Sequence, residues 1–149
     1  MPPRRNILIT GASSGLGRGM AREFAARGRN LALCARRLDR LEGLREELAA
    51  RYPSLRVAVR RLDVNDHEEV FRAFRELDAG LGGLDRVVVN AGLGKGRPLG
   101  TGHFRANRET LETNLVAALA QCEAAMELFR ERNAGHLVVI SSVAAVRGL

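Results

Sequence analysis

The sequence predicts an α/β fold, a single parallel sheet with helices packed on both faces. Two observations carry that expectation. Short apolar runs of strand length alternate with longer runs at helical period along the whole chain. The first short run passes directly into a glycine-rich turn, Thr10-Gly11-Ala12-Ser13-Ser14-Gly15-Leu16-Gly17, which opens an amphipathic segment. Alternation of this kind needs crossover connections, and these set successive strands parallel.

Each element has its own signal. Ile7-Leu8-Ile9 is a short buried strand. The next segment places Leu16, Met20 and Phe24 on one helix face and ends at Gly28, a residue suited to the position after a helix C-cap. Residues 31–35 form the second strand, and Leu38, Leu41, Leu44 and Leu48 mark a helix stopped by Pro53. Residues 55–62 alternate, with Leu55, Val57 and Val59 to one side and Arg56 and Arg60 to the other. That pattern fits an edge strand, where charges discourage unwanted pairing. Asp66 caps a third helix carrying Val70, Phe74, Leu77 and Leu81. Val87-Val88-Val89 has no polar interruption, as expected of a central strand. Leu111, Leu115, Cys122 and Phe129 stripe a long fourth helix, and residues 137–140 form a fifth strand. With strand order 3-2-1-4-5 the third strand lies at an edge. Ligands then sit outside the carboxyl ends of the strands, where strands 1 and 4 diverge.

Composition narrows the class. A chain of 149 residues suits one domain, and 46% apolar with 28% charged residues excludes a disordered chain. No apolar run reaches the ~18–20 residues of a membrane span, and the first strand follows the start too soon for a signal peptide. A cytoplasmic location is the resulting expectation. The net charge of +7 comes from 23 arginines and one lysine, Lys95. They are scattered along the helices beside acids, as at Arg45, Glu46 and Glu47, so solvated faces are expected and no nucleic-acid patch. Cys34 and Cys122 lack metal-ligand spacing and read as small buried hydrophobes, with no metal site.

The glycine turn carries the first chemistry. Glycines allow backbone N–H groups to approach a pyrophosphate, and the helix that follows presents its N-terminus to the anion. Three glycines in a turn are weak evidence alone; placed between a first strand and an amphipathic helix they are strong.

The spacing Gly-x-x-x-Gly-x-Gly, opened by Thr10, resembles the signature of the short-chain dehydrogenase/reductase family, and further motifs follow in that family's order over the whole chain. The resemblance implies a Rossmann-type sheet that binds a nicotinamide dinucleotide through Thr10, Gly11, Ser13, Ser14, Gly15, Leu16 and Gly17. It implies an adenine contact at Asp63-Val64 and a sheet-stabilising triplet at Asn90-Ala91-Gly92. Asn114, in Thr-Asn-Leu-Val, matches the family's helix asparagine, whose backbone and water contacts support a proton relay. Ser142, in Ser141-Ser142-Val143, matches the serine that hydrogen-bonds the substrate oxygen. The implied reaction is hydride transfer between the nicotinamide and a small carbonyl or alcohol substrate. A homodimer or homotetramer is implied too, through the helix at residues 107–132 with its stripe of Leu111, Leu115, Leu119 and Met126.

Cofactor preference follows from charge. A ribose-binding carboxylate is expected at the end of strand 2 in an NAD enzyme of this fold. Position 35 is alanine, and Arg36 and Arg37 follow. A guanidinium pairs with a 2′-phosphate in forked geometry, so NADP(H) is expected over NAD(H), with Arg36 the main contact and Ser13 a helper.

The resemblance also implies a tyrosine and lysine for proton transfer, which would fall past Leu149, and further strands beyond the fifth. Tyr52 is expected at the amino-terminal edge of the sheet, away from the chemistry, whereas Lys95 and His103 fall on the side of the glycine turn. Residues 1–149 are therefore expected to be an incomplete domain that binds cofactor without turnover. The alternative is a non-catalytic dinucleotide-binding or regulatory module.

Overall fold

The computed structural model describes residues 5–143. In chain order it contains β1 (Asn6–Thr10), α1 (Gly15–Ala26), β2 (Asn30–Ala35), α2 (Leu38–Arg51), β3 (Val57–Arg61), α3 (His67–Leu81) and β4 (Arg86–Val89). Next come α4 (Phe104–Leu111), a π-helical turn (Glu112–Val116), α5 (Ala117–Glu131) and β5 (Leu137–Val139). The five strands form one sheet in the order β3-β2-β1-β4-β5, parallel at every pairing. This is the doubly wound, Rossmann-type sheet expected from the sequence, with β1 and β4 adjacent at its centre. Strand bounds shift by one or two residues, most at the third strand, which is shorter than the alternation at 55–62 implied.

Period two along each strand sends alternate residues to two cores. Leu8, Ala32, Cys34, Val87 and Val89 pack against α3 and α5 through Phe74, Leu77, Leu128 and Phe129. Ile7, Ile9, Leu31, Leu33 and Val88 pack against α1 and α2 through Ala21, Ala25, Leu41, Leu44 and Leu48. Every residue of β1 is buried, as a strand covered on both faces requires. The helix ends obey local chemistry. Gly28 at φ 72° donates its N–H to Ala25 O and Arg29 donates to Phe24 O, the paired bonds of a Schellman motif. The Asp66 carboxylate accepts from Glu69 N at the start of α3.

Two expectations about helix faces are corrected. Leu16 does not lie on the core face of α1; it is 70% exposed, and the buried face is Gly17, Ala21 and Ala25, with Met20 and Phe24 partly buried. Small residues are needed there because the helix starts hard against the turn. The stripe on the fourth helix is also displaced. Of the expected core stripe, Leu111 and Leu115 are exposed, Cys122 is half-buried and Phe129 is buried, and α5 packs inward through Ala117, Gln121, Ala124, Ala125, Leu128 and Phe129; Leu119 and Met126 are exposed as well. The alanines let α5 lie close to α3 and the sheet. The π turn between α4 and α5 adds a residue to the helical register, so periodicity carried through it assigns the wrong face to Leu111 and Leu115.

Candidate functional site

The carboxyl ends of β1, β2, β3 and β4 surround a cleft of ≈ 300 Å³. Gly11, Ser13, Ser14 and Leu16 line it from the glycine turn, and Arg36 and Arg37 from the β2–α2 turn. Asp63 and Val64 line it from the end of β3, and Asn90, Ala91 and Gly92 from the end of β4. The structure thus brings together the anion turn, both arginines and two of the sequence-predicted downstream motifs.

At the crevice, a hydrogen-bonded clasp joins β1 to β4. Thr10 is fully buried, and its Oγ1 accepts from the N–H groups of Asn90 at 3.0 Å and Ala91 at 3.1 Å. Asn90 Nδ2 donates back to Thr10 O at 2.9 Å. The clasp satisfies buried polar groups where the two strands part, and it consumes the Thr10 hydroxyl, which lies behind the cleft wall. Gly17 makes the close approach possible. A Cβ there would collide with Gly11 O and stand 2.7 Å from Asn90 Nδ2. Gly15 serves differently: its φ of 52° is left-handed and nothing lies within 4 Å of where a Cβ would be. The floor of the turn is therefore open backbone at a helix N-terminus, with the geometry that suits an anion.

On the β2 side, Arg37 donates to Ser13 Oγ at 3.1 Å and to Ser14 Oγ at 2.8 Å. The guanidinium and two hydroxyls converge at the mouth of the cleft. Ala35 also lines the cleft, so no side chain beyond a methyl group projects from the end of β2.

At the far wall, Asn114 sits within the π turn. Its Oδ1 accepts from Leu93 N at 2.9 Å and its Nδ2 donates to Leu93 O at 2.8 Å. The carboxamide thereby pins the loop after β4 through both backbone groups of one residue. Gly92 passes so close that a Cβ there would stand 3.1 Å from Asn114 Oδ1. Ser142 follows β5 on the same side of the sheet, exposed, and the described lining of the cleft does not include it.

Three lining residues escape sequence reasoning: Leu62, Asn65 and Thr113. Thr113 is buried, and its Oγ1 accepts from Asn65 Nδ2 at 3.1 Å, while Asp63 Oδ1 accepts from Asn65 N at 3.1 Å. This chain links the loop after β3 to the segment that carries Asn114. The signal was the pair of polar residues flanking recognised motifs, one after Asp63-Val64 and one before Asn114.

The thiol of Cys34 is pushed up to about 12 by burial, with nearby Arg60 opposing the rise. Together with its place in the core this makes it inert packing. Among the described residues no group of His, Cys, Asp and Glu could hold a metal ion, and no helix is long and apolar enough to cross a membrane.

Comparison with known proteins agrees with this geometry. The family model for short chain dehydrogenases matches residues 5–149. The chain belongs to the short-chain dehydrogenase family. It is 62% identical over 146 residues to an uncharacterised oxidoreductase of Mycobacterium tuberculosis, covering 98% of this chain and 58% of that protein. Among solved structures, a levodione reductase superposes with a TM-score of 0.91 at 29% identity, covering 98% of this chain and 57% of the other. An alcohol dehydrogenase from the archaeon Thermococcus sibiricus, complexed with 5-hydroxy-NADP, superposes with a TM-score of 0.90 at 32% identity, covering 97% and 61%. The chain spans a little over half the length of these relatives.

Proposed function

We propose that this chain is the nucleotide-binding part of a cytoplasmic NADP(H)-dependent oxidoreductase acting on a small carbonyl or alcohol substrate. The observation that carries the choice of NADP(H) is the end of β2. Ala35 leaves no carboxylate to oppose a 2′-phosphate, and Arg36, Arg37 and the Ser13 and Ser14 hydroxyls supply donors around the same spot. The relative with an NADP derivative bound supports the same reading.

The residues fit a dinucleotide along the cleft. The turn from Gly11 to Gly17 takes the pyrophosphate, whose charge meets open N–H groups at the start of α1. Arg36 and Arg37 take the 2′-phosphate, and Asp63 and Val64 flank the adenine. Asn90, Ala91 and Gly92 form the wall beside the nicotinamide end. When bound there, a nicotinamide dinucleotide would supply or accept the hydride. Asn114 fixes the 90–93 wall by its two bonds to Leu93, and Ser142 hydrogen-bonds the substrate oxygen. The proton is another matter. Tyr52 follows α2 at the amino-terminal edge of the sheet, Lys95 is paired to Glu109 at 3.0 Å, and neither they nor His103 line the cleft. The 149-residue chain by itself is therefore expected to bind cofactor and not to turn over, since general acid–base help is worth about 10²–10⁴-fold.

The test is steady-state kinetics of the full-length gene product with a panel of aldehydes and ketones. NADPH-dependent reduction is expected, and Arg36→Ala should lower kcat/KM for NADPH while leaving NADH little changed. Turnover with NADH alone, or none with either nucleotide across the panel, contradicts the reading.

A further inference from the structure

Beside the main cleft, a shallow groove opens at the edge of the sheet, lined by Arg36, Arg61, Leu62, Asp63, Asp66 and Glu69. It shares Arg36, Leu62 and Asp63 with the cleft. All three of its carboxylates are engaged. Asp63 accepts from Asn65, Asp66 caps α3 through Glu69 N, and Glu69 pairs with Arg60 and Arg72. Its two arginines are not. Within the described residues the guanidinium groups of Arg36 and Arg61 make neither hydrogen bond nor ion pair. The groove therefore holds two guanidinium groups without a bonded partner next to the proposed 2′-phosphate position, while Asp63 and Asp66 keep their negative charge because the N–H groups they accept from are neutral.

Strand register shows why Arg61 belongs with that position. Arg60 is turned toward α3 by Glu69 and Glu76, so Arg61, one residue on, faces the opposite side of the sheet. In the parallel ladder Arg61 is the register partner of Ala35, and paired residues share a face. Arg61 thus stands beside the alanine found where a ribose-binding carboxylate is expected, on the same face of the sheet. A carboxylate at position 35 would capture Arg61; an alanine leaves it free for another anion. A phosphate monoester carries nearly two negative charges near neutral pH, more than one guanidinium neutralises.

We infer that Arg61 is a specificity-determining residue that holds the 2′-phosphate of NADP(H) from β3 while Arg36 holds it from β2. This rests on the NADP(H) reading above. The probes are 2′,5′-ADP, which carries the 2′-phosphate, and 5′-AMP, which lacks it, titrated into the full-length gene product. The parent should bind 2′,5′-ADP more tightly than 5′-AMP. Arg61→Ala should weaken 2′,5′-ADP by about tenfold or more and leave 5′-AMP unchanged. Arg61→Lys should retain part of the affinity, because it keeps the charge and loses the fork. An equal loss for both nucleotides would mark a structural role and overturn the inference. So would a 2′,5′-ADP affinity within about twofold of the parent. A parent that treats the two nucleotides alike removes the NADP(H) reading and this inference with it. A discriminating parent that ignores the loss of Arg61 removes this inference alone.

Discussion

Two glycines in the first helix should respond to alanine with opposite signs. At Gly17 an added Cβ meets Gly11 O and lies 2.7 Å from Asn90 Nδ2, and neither neighbour is free to retreat. Gly11 belongs to the turn, and the Asn90 amide is tied to Thr10 O. Overpacking of this kind costs about 1–3 kcal/mol, and loosening the Asn90 bond adds about 1 kcal/mol. Better helix propensity returns at most about 1 kcal/mol. The net effect of Gly17→Ala is then a loss of about 1–3 kcal/mol. At Gly19, two residues on, nothing lies within 4 Å of the place a methyl group would take, and the backbone is helical. Gly19→Ala should stabilise by about 0.5–1 kcal/mol. Urea unfolding followed by far-UV circular dichroism separates the two, the midpoint falling for Gly17→Ala and rising for Gly19→Ala. Midpoints moving in the same direction, or a neutral Gly17→Ala, would refute the close approach of α1 to β4.

Three more outcomes follow from particular contacts. Asn114→Ala frees both backbone groups of Leu93, each bond worth about 1 kcal/mol, so kcat/KM should fall by about tenfold or more, and Asn114→Asp should not rescue it because a carboxylate cannot donate to Leu93 O; equal activity of Asn114→Ala would show that the wall needs no such tie. Cys34 should resist alkylation by iodoacetamide at pH 8 in the folded protein, since deprotonation begins only as pH nears its value of about 12; rapid labelling under native conditions would show that β2 is not packed as described. The exposed stripe of Leu115 and Leu119 is expected to cover a second copy in the full-length protein, and Leu115→Asp with Leu119→Asp should lower the mass seen by light scattering; a parent that is already monomeric at micromolar concentration would contradict it.

The sheet was legible because its strands are short, uniformly apolar and separated by clear turn chemistry at Gly28, Pro53 and Asp66. The edge position of the third strand was legible in its arginines, and the order β3-β2-β1-β4-β5 places it there. The cleft was legible as far as it is made of backbone: the glycine turn and the strand ends lie where the motifs put them. What stayed hidden depends on helical phase and on distant pairing. A single π turn reversed the reading of Leu111 and Leu115, since the extra residue has no signature in an apolar pattern. The Asn65–Thr113 bond joins residues 48 apart and neither stands out alone. The place of Arg61 beside Ala35 is a matter of register, which alternation along one strand does not reveal.

The central claim is that the crevice between β1 and β4 is built for a dinucleotide bearing a 2′-phosphate. Isothermal titration of NADPH and NADH into the full-length protein tests it most directly. NADPH should bind at a single site, tighter than NADH by about 1–3 kcal/mol, with the gap narrowing as salt screens the arginines. Equal affinities, or NADH the tighter of the two, would contradict it.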